Sequence, residues 1–188
     1  MRGIAPEDTA TCDSDAQSQR HLTVAVHIRY PEDYCTDTWK QANSIDHPLD
    51  TLERMTQCLE SLALEVNMTI DVYTEESFPH ELEQDFGRRL EKFLVQGSVV
   101  HFHRQTPLLS TVQGMATADV FVPASSYLSA MAAFFSNSLV VLPDEETRRT
   151  QYFAPHLKEG CPTRIVQAQH TELLTQALAK VCRVQDER

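Results

Sequence analysis

Short runs of β-branched and other apolar residues alternate with longer stretches whose apolar positions recur at helical spacing, beginning near Leu22. That alternation constrains the chain more than any other feature, because strands separated by helix-length segments pair in parallel through crossover connections. The strand runs are Leu22–Ile28, Met68–Tyr73, Ser98–His103, Asp119–Pro123, Ser138–Leu142 and Arg164–Gln167. Helices are predicted at Leu49–Glu65, where Leu49, Leu52, Met55, Leu59 and Leu62 form one stripe, and at Pro79–Gln96, where Leu82, Phe86, Leu90 and Phe93 do. Pro79 suits a first helical turn. Further helices are expected at Pro107–Thr117, interrupted by Gly114, at Ser125–Ser136 and at Thr171–Val184. The Ser125–Ser136 segment is apolar round most of its circumference, which predicts burial between the sheet and another layer. The expected fold class is α/β: a Rossmann-like, doubly wound, mostly parallel sheet of five or six strands with helices on both faces.

A length of 188 residues fits one domain with a substantial core. Residues 1–20 carry Asp, Ser, Thr, Gln and Ala without apolar period and read as a disordered leader, with the folded domain over 21–186. A long loop holding Pro31, Trp39 and Pro48 follows the first strand. The net charge of −11 argues against nucleic acid or an anionic membrane as partner, since neutralising many phosphates needs a basic stripe. Any phosphate site must therefore be local, built from one or two arginines and backbone dipoles. No apolar run reaches the ~18 residues of a transmembrane span, and the chain is expected to be soluble. The five cysteines, Cys12, Cys35, Cys58, Cys161 and Cys182, lack metal or CxxC spacing. They are expected to be unpaired, with Cys58 and Cys182 on helix faces, although an oxidising compartment would allow some to pair. Compartment stays open on composition alone.

In open parallel sheets ligands bind at the carboxyl ends of the strands. The first strand ends in His27-Ile28-Arg29, whose alternation puts His27 and Arg29 on one face. The fourth runs through Ala124-Ser125-Ser126 into the apolar helix, a helix start with exposed N–H groups and positive dipole. A guanidinium at one strand end and a hydroxyl-bearing helix start at the other suit an anion such as phosphate. Plainer readings stand beside these: Arg29 exits to solvent or pairs with Asp33, His27 is a hydrogen-bonded core histidine, and Ser125 or Ser126 is an ordinary N-cap. At the end of the second strand, Tyr73-Thr74-Glu75-Glu76 offers carboxylates for ribose or sugar hydroxyls, or a solvated loop. His101 and His103 share a strand face but lack a third ligand in register, so no metal is expected. The GxSxG, GxxxxGKS and GxGxxG patterns are absent from a chain with five scattered glycines.

Taken in order, VAVHIRYPEDY, IDVYTEE and ATADVFVPASSYLSAMAAFFSNSLVVLP resemble the nucleotide-sugar-binding half of fucosyltransferase-like glycosyltransferases with an H-x-R motif, the group of α1,2-, α1,6- and protein O-fucosyltransferases. The resemblance covers Leu22–Pro143. It implies a GT-B arrangement of two Rossmann-type domains, of which this chain would be the C-terminal one. It further implies a GDP-fucose donor, transfer with inversion to a glycan or protein hydroxyl, no metal or other cofactor, and a secretory-pathway setting or, in microbes, the cytoplasm. By the same resemblance Arg29 contacts the donor diphosphate, His27 is the motif histidine, and Ser125 and Ser126 lie at the phosphate-binding helix start. Glu75 would bind the donor from the second strand. The chain departs from the HxRRGDY form at Tyr30, and Met131 stands where tryptophan is usual. An acceptor-side half has no counterpart before Leu22, so a partner chain or a missing N-terminal domain is expected to supply it.

Two other classes are weighed against that reading. A noncatalytic or degenerate Rossmann-like interaction domain would use the Ser125–Ser136 helix as a partner surface. A small-molecule hydrolase would use His27 or His101 with Glu75 and Glu76 as acid and base.

Overall fold

A computed structural model describes residues 20–30, 44–143 and 165–186. The leader up to residue 19, Pro31, Asp33, Trp39, Cys12, Cys35 and Cys161 lie outside the described residues. Strand β1 (Arg20–Ile28) is central in the sheet, paired in parallel with β2 (Val66–Thr74) on one side and β4 (Val120–Val122) on the other. β3 (Val99–Arg104) adds outside β2, and β5 (Leu139–Leu142) and β6 (Ile165–Gln167) outside β4, all in parallel, giving the order β3-β2-β1-β4-β5-β6. β1 earns its centre by composition: Leu22, Val24, Val26 and Ile28 are buried on one face, Ala25 and His27 on the other. The chain is thus an α/β, Rossmann-like doubly wound fold.

The first face carries α1 (Asp46–Ser61), α2 (His80–Leu90) and α5 (Thr171–Asp186), whose Leu52, Met55, Phe86, Leu90, Leu174 and Leu178 close the larger core. α3 (Leu108–Thr117) and α4 (Tyr127–Phe135) cover the second face, with Met115, Ala130 and Ala132 packed on Ala25, Tyr73, Phe121, Val140 and Leu142. Cys58 on α1 and Cys182 on α5 are buried and form no disulfide, in line with the expectation of unpaired cysteines on helix faces.

Several boundaries and one environment differ from the sequence reading. β1 and β2 are longer than predicted because their pairing runs from Arg20↔Val66 to Ile28↔Thr74, so polar ends join the ladder. α2 stops at Leu90 instead of Gln96. Phe93 and Leu94 still pack on the core from turns, and Gly97, at φ 96°, reverses the chain into β3. The predicted burial of the Ser125–Ser136 helix is corrected. Its small residues Ser129, Ala130 and Ala132 are buried and Leu128 and Ala133 pack partly against the same core, while Tyr127, Phe134 and Phe135 are 72%, 65% and 66% exposed. Small side chains on the inner side let the helix lie close to the strands, and the bulky ones are then left outside.

Gly114 does not interrupt α3. A Cβ there would stand 2.0 Å from the Tyr73 hydroxyl, so this glycine admits the Tyr73 ring beneath the helix. At the other end of the second layer, Asp119 locks β4 onto β1. Its carboxylate accepts from the Thr23 N–H at 2.9 Å and the Thr23 hydroxyl at 2.7 Å, and its own N–H donates to that hydroxyl at 3.0 Å.

Candidate functional site

The strand order runs outward from β1 to β2 and β3, then returns to β4 beside β1 and runs outward the other way. Connections leave β1 and β4 in opposite directions, which opens a crevice at their carboxyl ends, the usual ligand position in such sheets. A shallow, solvent-open depression lies there, lined among others by His27, Arg29, Ser44, His47, Ala124 and Pro143. Its walls come from the end of β1, the β4–α4 turn, the amino end of α1 and Pro143 just after β5.

The β4–α4 turn is tight, with the Ser126 N–H donating to the Ala124 carbonyl at 2.9 Å. Ser126 is the N-cap of α4, in extended backbone conformation, and its hydroxyl oxygen accepts from the Ser129 N–H at 3.1 Å. Ser125 and Ser126 are both buried. The N–H groups of the first helical turn precede the intrahelical ladder and aim the positive end of the dipole toward the strand ends.

His27 is 5% exposed and Ser129 is fully buried. The Nδ1 of His27 lies 2.6 Å from the Ser129 hydroxyl and 3.5 Å from that of Ser126, and the Ala124 N–H donates to the Ser129 hydroxyl oxygen at 3.0 Å. Burial, reinforced by the nearby Arg29 charge, lowers the His27 pKa to about 4, so the ring is neutral near pH 7. The sequence reading of a hydrogen-bonded core histidine is realised, and the same residue lines the cleft.

Arg29 Nε stands 3.3 Å from Glu75 Oε1, with both side chains about one-third exposed. β1 and β2 pair up to Ile28↔Thr74, which places the next residue of each strand side by side. Of the predicted residues, His27, Arg29, Glu75, Ser125 and Ser126 thus gather at adjoining strand ends. Glu75 is engaged by Arg29 there.

Tyr73 turns away from the cleft, packed under Gly114 and stacked on His103 at 4.8 Å. His103 Nε2 pairs with Asp71 Oδ1 at 2.7 Å on the β2–β3 side of the sheet. His101 is in register with Asp71, four residues before Glu75 and so roughly 13 Å along the strand from it, and the version of the predicted acid–base set that uses His101 is not assembled. Among the described residues no group of three or more His, Cys, Asp or Glu is placed to hold a metal ion. Sequence reasoning missed Ser129, whose signal was its spacing three residues after the N-cap on the sheet-facing side of the helix. It also missed Ser44 and His47, which lie beyond the loop after β1.

The His27 environment sets a pH dependence. Between pH 6.5 and about 4 the unfolded chain protonates this histidine while the folded chain does not, so stability is full above that window and falls as the pH drops through it. The loss amounts to about 3 kcal/mol. Urea unfolding at pH 7.5 and 4.5 should show a smaller pH difference for His27→Asn than for the native chain; equal differences would contradict a buried neutral ring.

No protein-family model matches the chain, and no curated protein does. Solved structures do match. A UDP-forming α,α-trehalose-phosphate synthase from Burkholderia xenovorans, in complex with glucose-6-phosphate, aligns with a TM-score of 0.50 at 17% identity, over 90% of this chain and 37% of that one. A second structure of such an enzyme from the same organism gives 0.52 at 9% identity over 88% and 37%. A trehalose-6-phosphate synthase, studied for glycosyl transfer with retention through bisubstrate glycomimetics, gives 0.52 at 14% over 89% and 38%. At these identities the likeness is one of fold, and the present chain has the Rossmann-like fold of a single GT-B half. It spans less than two-fifths of the length of the structures it matches.

Proposed function

We propose that this chain is the donor-binding half of a GT-B-type glycosyltransferase, holding the diphosphate of a nucleotide sugar in the β1/β4 crevice. One observation carries the reading: Arg29, the His27 ring and the amino end of α4 converge at the carboxyl ends of the two strands where the sheet order reverses. Negative charge grows on the departing nucleoside diphosphate as the glycosidic bond breaks. A fixed guanidinium and oriented N–H dipoles stabilise that charge more in the transition state than in the ground state. Arg29 takes this role, and Ser125 and Ser126 shape the helix start that faces the phosphates. Glu75 releases Arg29 when the diphosphate arrives and accepts a hydroxyl of the ribose or sugar. Charge neutralisation falls to Arg29 and the helix, with no metal assigned. GDP-fucose is the donor proposed, on the H-x-R resemblance, and inverting transfer to a glycan or protein hydroxyl completes the reading, with the acceptor-side half supplied by another domain or chain.

A second reading, a noncatalytic interaction domain, is favoured by the exposed Leu108, Leu109, Tyr127, Phe134 and Phe135 on α3 and α4. Thermal unfolding with GDP, UDP and ADP separates the two. At one hundred times the dissociation constant a ligand adds about 2.7 kcal/mol, roughly 5–10 °C in a chain of this size. GDP is expected to give that rise. A rise with UDP alone would keep the diphosphate site and reject GDP-fucose, while no rise with any of them, in a chain that self-associates regardless of nucleotide, would favour the interaction domain.

A further inference from the structure

Proton counting around Ser129 determines the state of His27. The peptide N–H of Ala124 can only donate, so at 3.0 Å it occupies a lone pair of the Ser129 oxygen. The Ser129 hydroxyl proton then needs an acceptor, and the acceptor within reach among the described residues is His27 Nδ1 at 2.6 Å. The reverse arrangement, with Nδ1–H donating to Ser129, would leave that hydroxyl proton without a partner in a fully buried position, which is unfavourable. Ser126 adds to the same preference. Its oxygen accepts from the Ser129 N–H at 3.1 Å, and its hydroxyl stands 3.5 Å from Nδ1 as a second potential donor.

We infer that Ser129 is a positioning residue that holds His27 as the neutral Nε2–H tautomer, so that the ring offers an uncharged hydrogen-bond donor to the cleft. Among the described residues the titratable groups around the ring are Arg29 on its own strand, Tyr73 beside it on β2 and His47 across the cleft on α1, with Glu75 reached through Arg29; the α4 side contributes serine hydroxyls. Among the described residues no carboxylate is hydrogen-bonded to the imidazole to stabilise its charged form, and the depressed pKa follows the same logic. A ring in this state has its basic nitrogen turned into the protein and does not act as a general base in the cleft. Its Nε2–H matches an acceptor oxygen. That this oxygen belongs to a phosphate or sugar rests on the donor-site reading, whereas the tautomer rests on hydrogen-bond geometry alone.

Long-range proton–nitrogen NMR spectra of the intact chain, with the His27 signals assigned by their absence in His27→Asn, test the tautomer without any ligand. The Nε2–H form, unchanged from pH 8 to pH 5, is expected. An Nδ1–H form, or titration near pH 6.5, would overturn the inference. In Ser129→Ala the ring should shift toward a mixture of tautomers with a higher pKa, and Ser129→Thr, which retains the hydroxyl, should restore the native pattern. An unchanged ring in Ser129→Ala would also overturn it. Titration with GDP adds the dependent arm: Ser129→Ala should bind about tenfold more weakly and Ser129→Thr near normally. The expected tautomer in a chain that binds neither GDP nor UDP would leave the Ser129 role standing and remove the donor-site reading.

Discussion

Arg29→Ala is expected to weaken nucleoside diphosphate binding by about 10²-fold or more, since truncating one partner of a charge-assisted contact costs roughly 2–5 kcal/mol. Folding should be nearly untouched. The pair that Arg29 makes with Glu75 is about one-third exposed on each side, and ion pairs of that kind contribute about 0–1 kcal/mol. Arg29→Lys should recover only part of the affinity, because an ammonium is a point charge where the guanidinium is a planar fork suited to two phosphate oxygens. Isothermal titration with GDP, alongside thermal unfolding without ligand, reads both effects. A variant that binds as well as the native chain would remove Arg29 from the site, and one that fails to fold would mean its role is structural.

Phe121→Ala is expected to produce the largest loss of stability, about 3–5 kcal/mol, from lost transfer energy and the cavity left behind. Phe121 is fully buried at the centre of β4, in the cluster where Met115 of α3 and Ala130 and Ala132 of α4 meet the sheet. The small alanines cannot collapse into the space. Because the same packing fixes the amino end of α4, weaker nucleotide binding should accompany the lower unfolding midpoint. Urea unfolding reads the first and titration with GDP the second. A cost below about 1 kcal/mol would mean that this layer rearranges freely around β4.

Much of this fold is legible in the sequence because burial on both faces of a parallel strand leaves a continuous apolar run, and LTVAV and ADVFV show it plainly. Helical spacing likewise marked α1 and α2. What the pattern could not carry was pairing and depth. Arg20 and Thr74 are polar, and only the β1–β2 register makes them strand residues. Gly114 looked like a helix breaker because its reason, the Tyr73 ring, comes from a strand 41 positions earlier. The apolar circumference of α4 suggested full burial, yet which side meets the sheet depends on side-chain size as well as polarity. At the site, the H-x-R spacing and the serine pair marked strand ends, and the fold brought them together. Ser129 stayed invisible because its partner His27 lies 102 residues away. Glu75 was legible as a polar strand end, but its engagement by Arg29 follows from the alignment of β1 with β2.

The most direct measurement is a residue-resolved backbone NMR titration of the chain with GDP, with Arg29→Ala as the reference. A diphosphate in the β1/β4 crevice predicts saturable shifts at the amides from His27 to Arg29 and from Ala124 to Ser129, lost in the variant. No shifts there, or shifts confined to the exposed side of α3 and α4 and equal in the variant, would contradict a donor site at the sheet reversal.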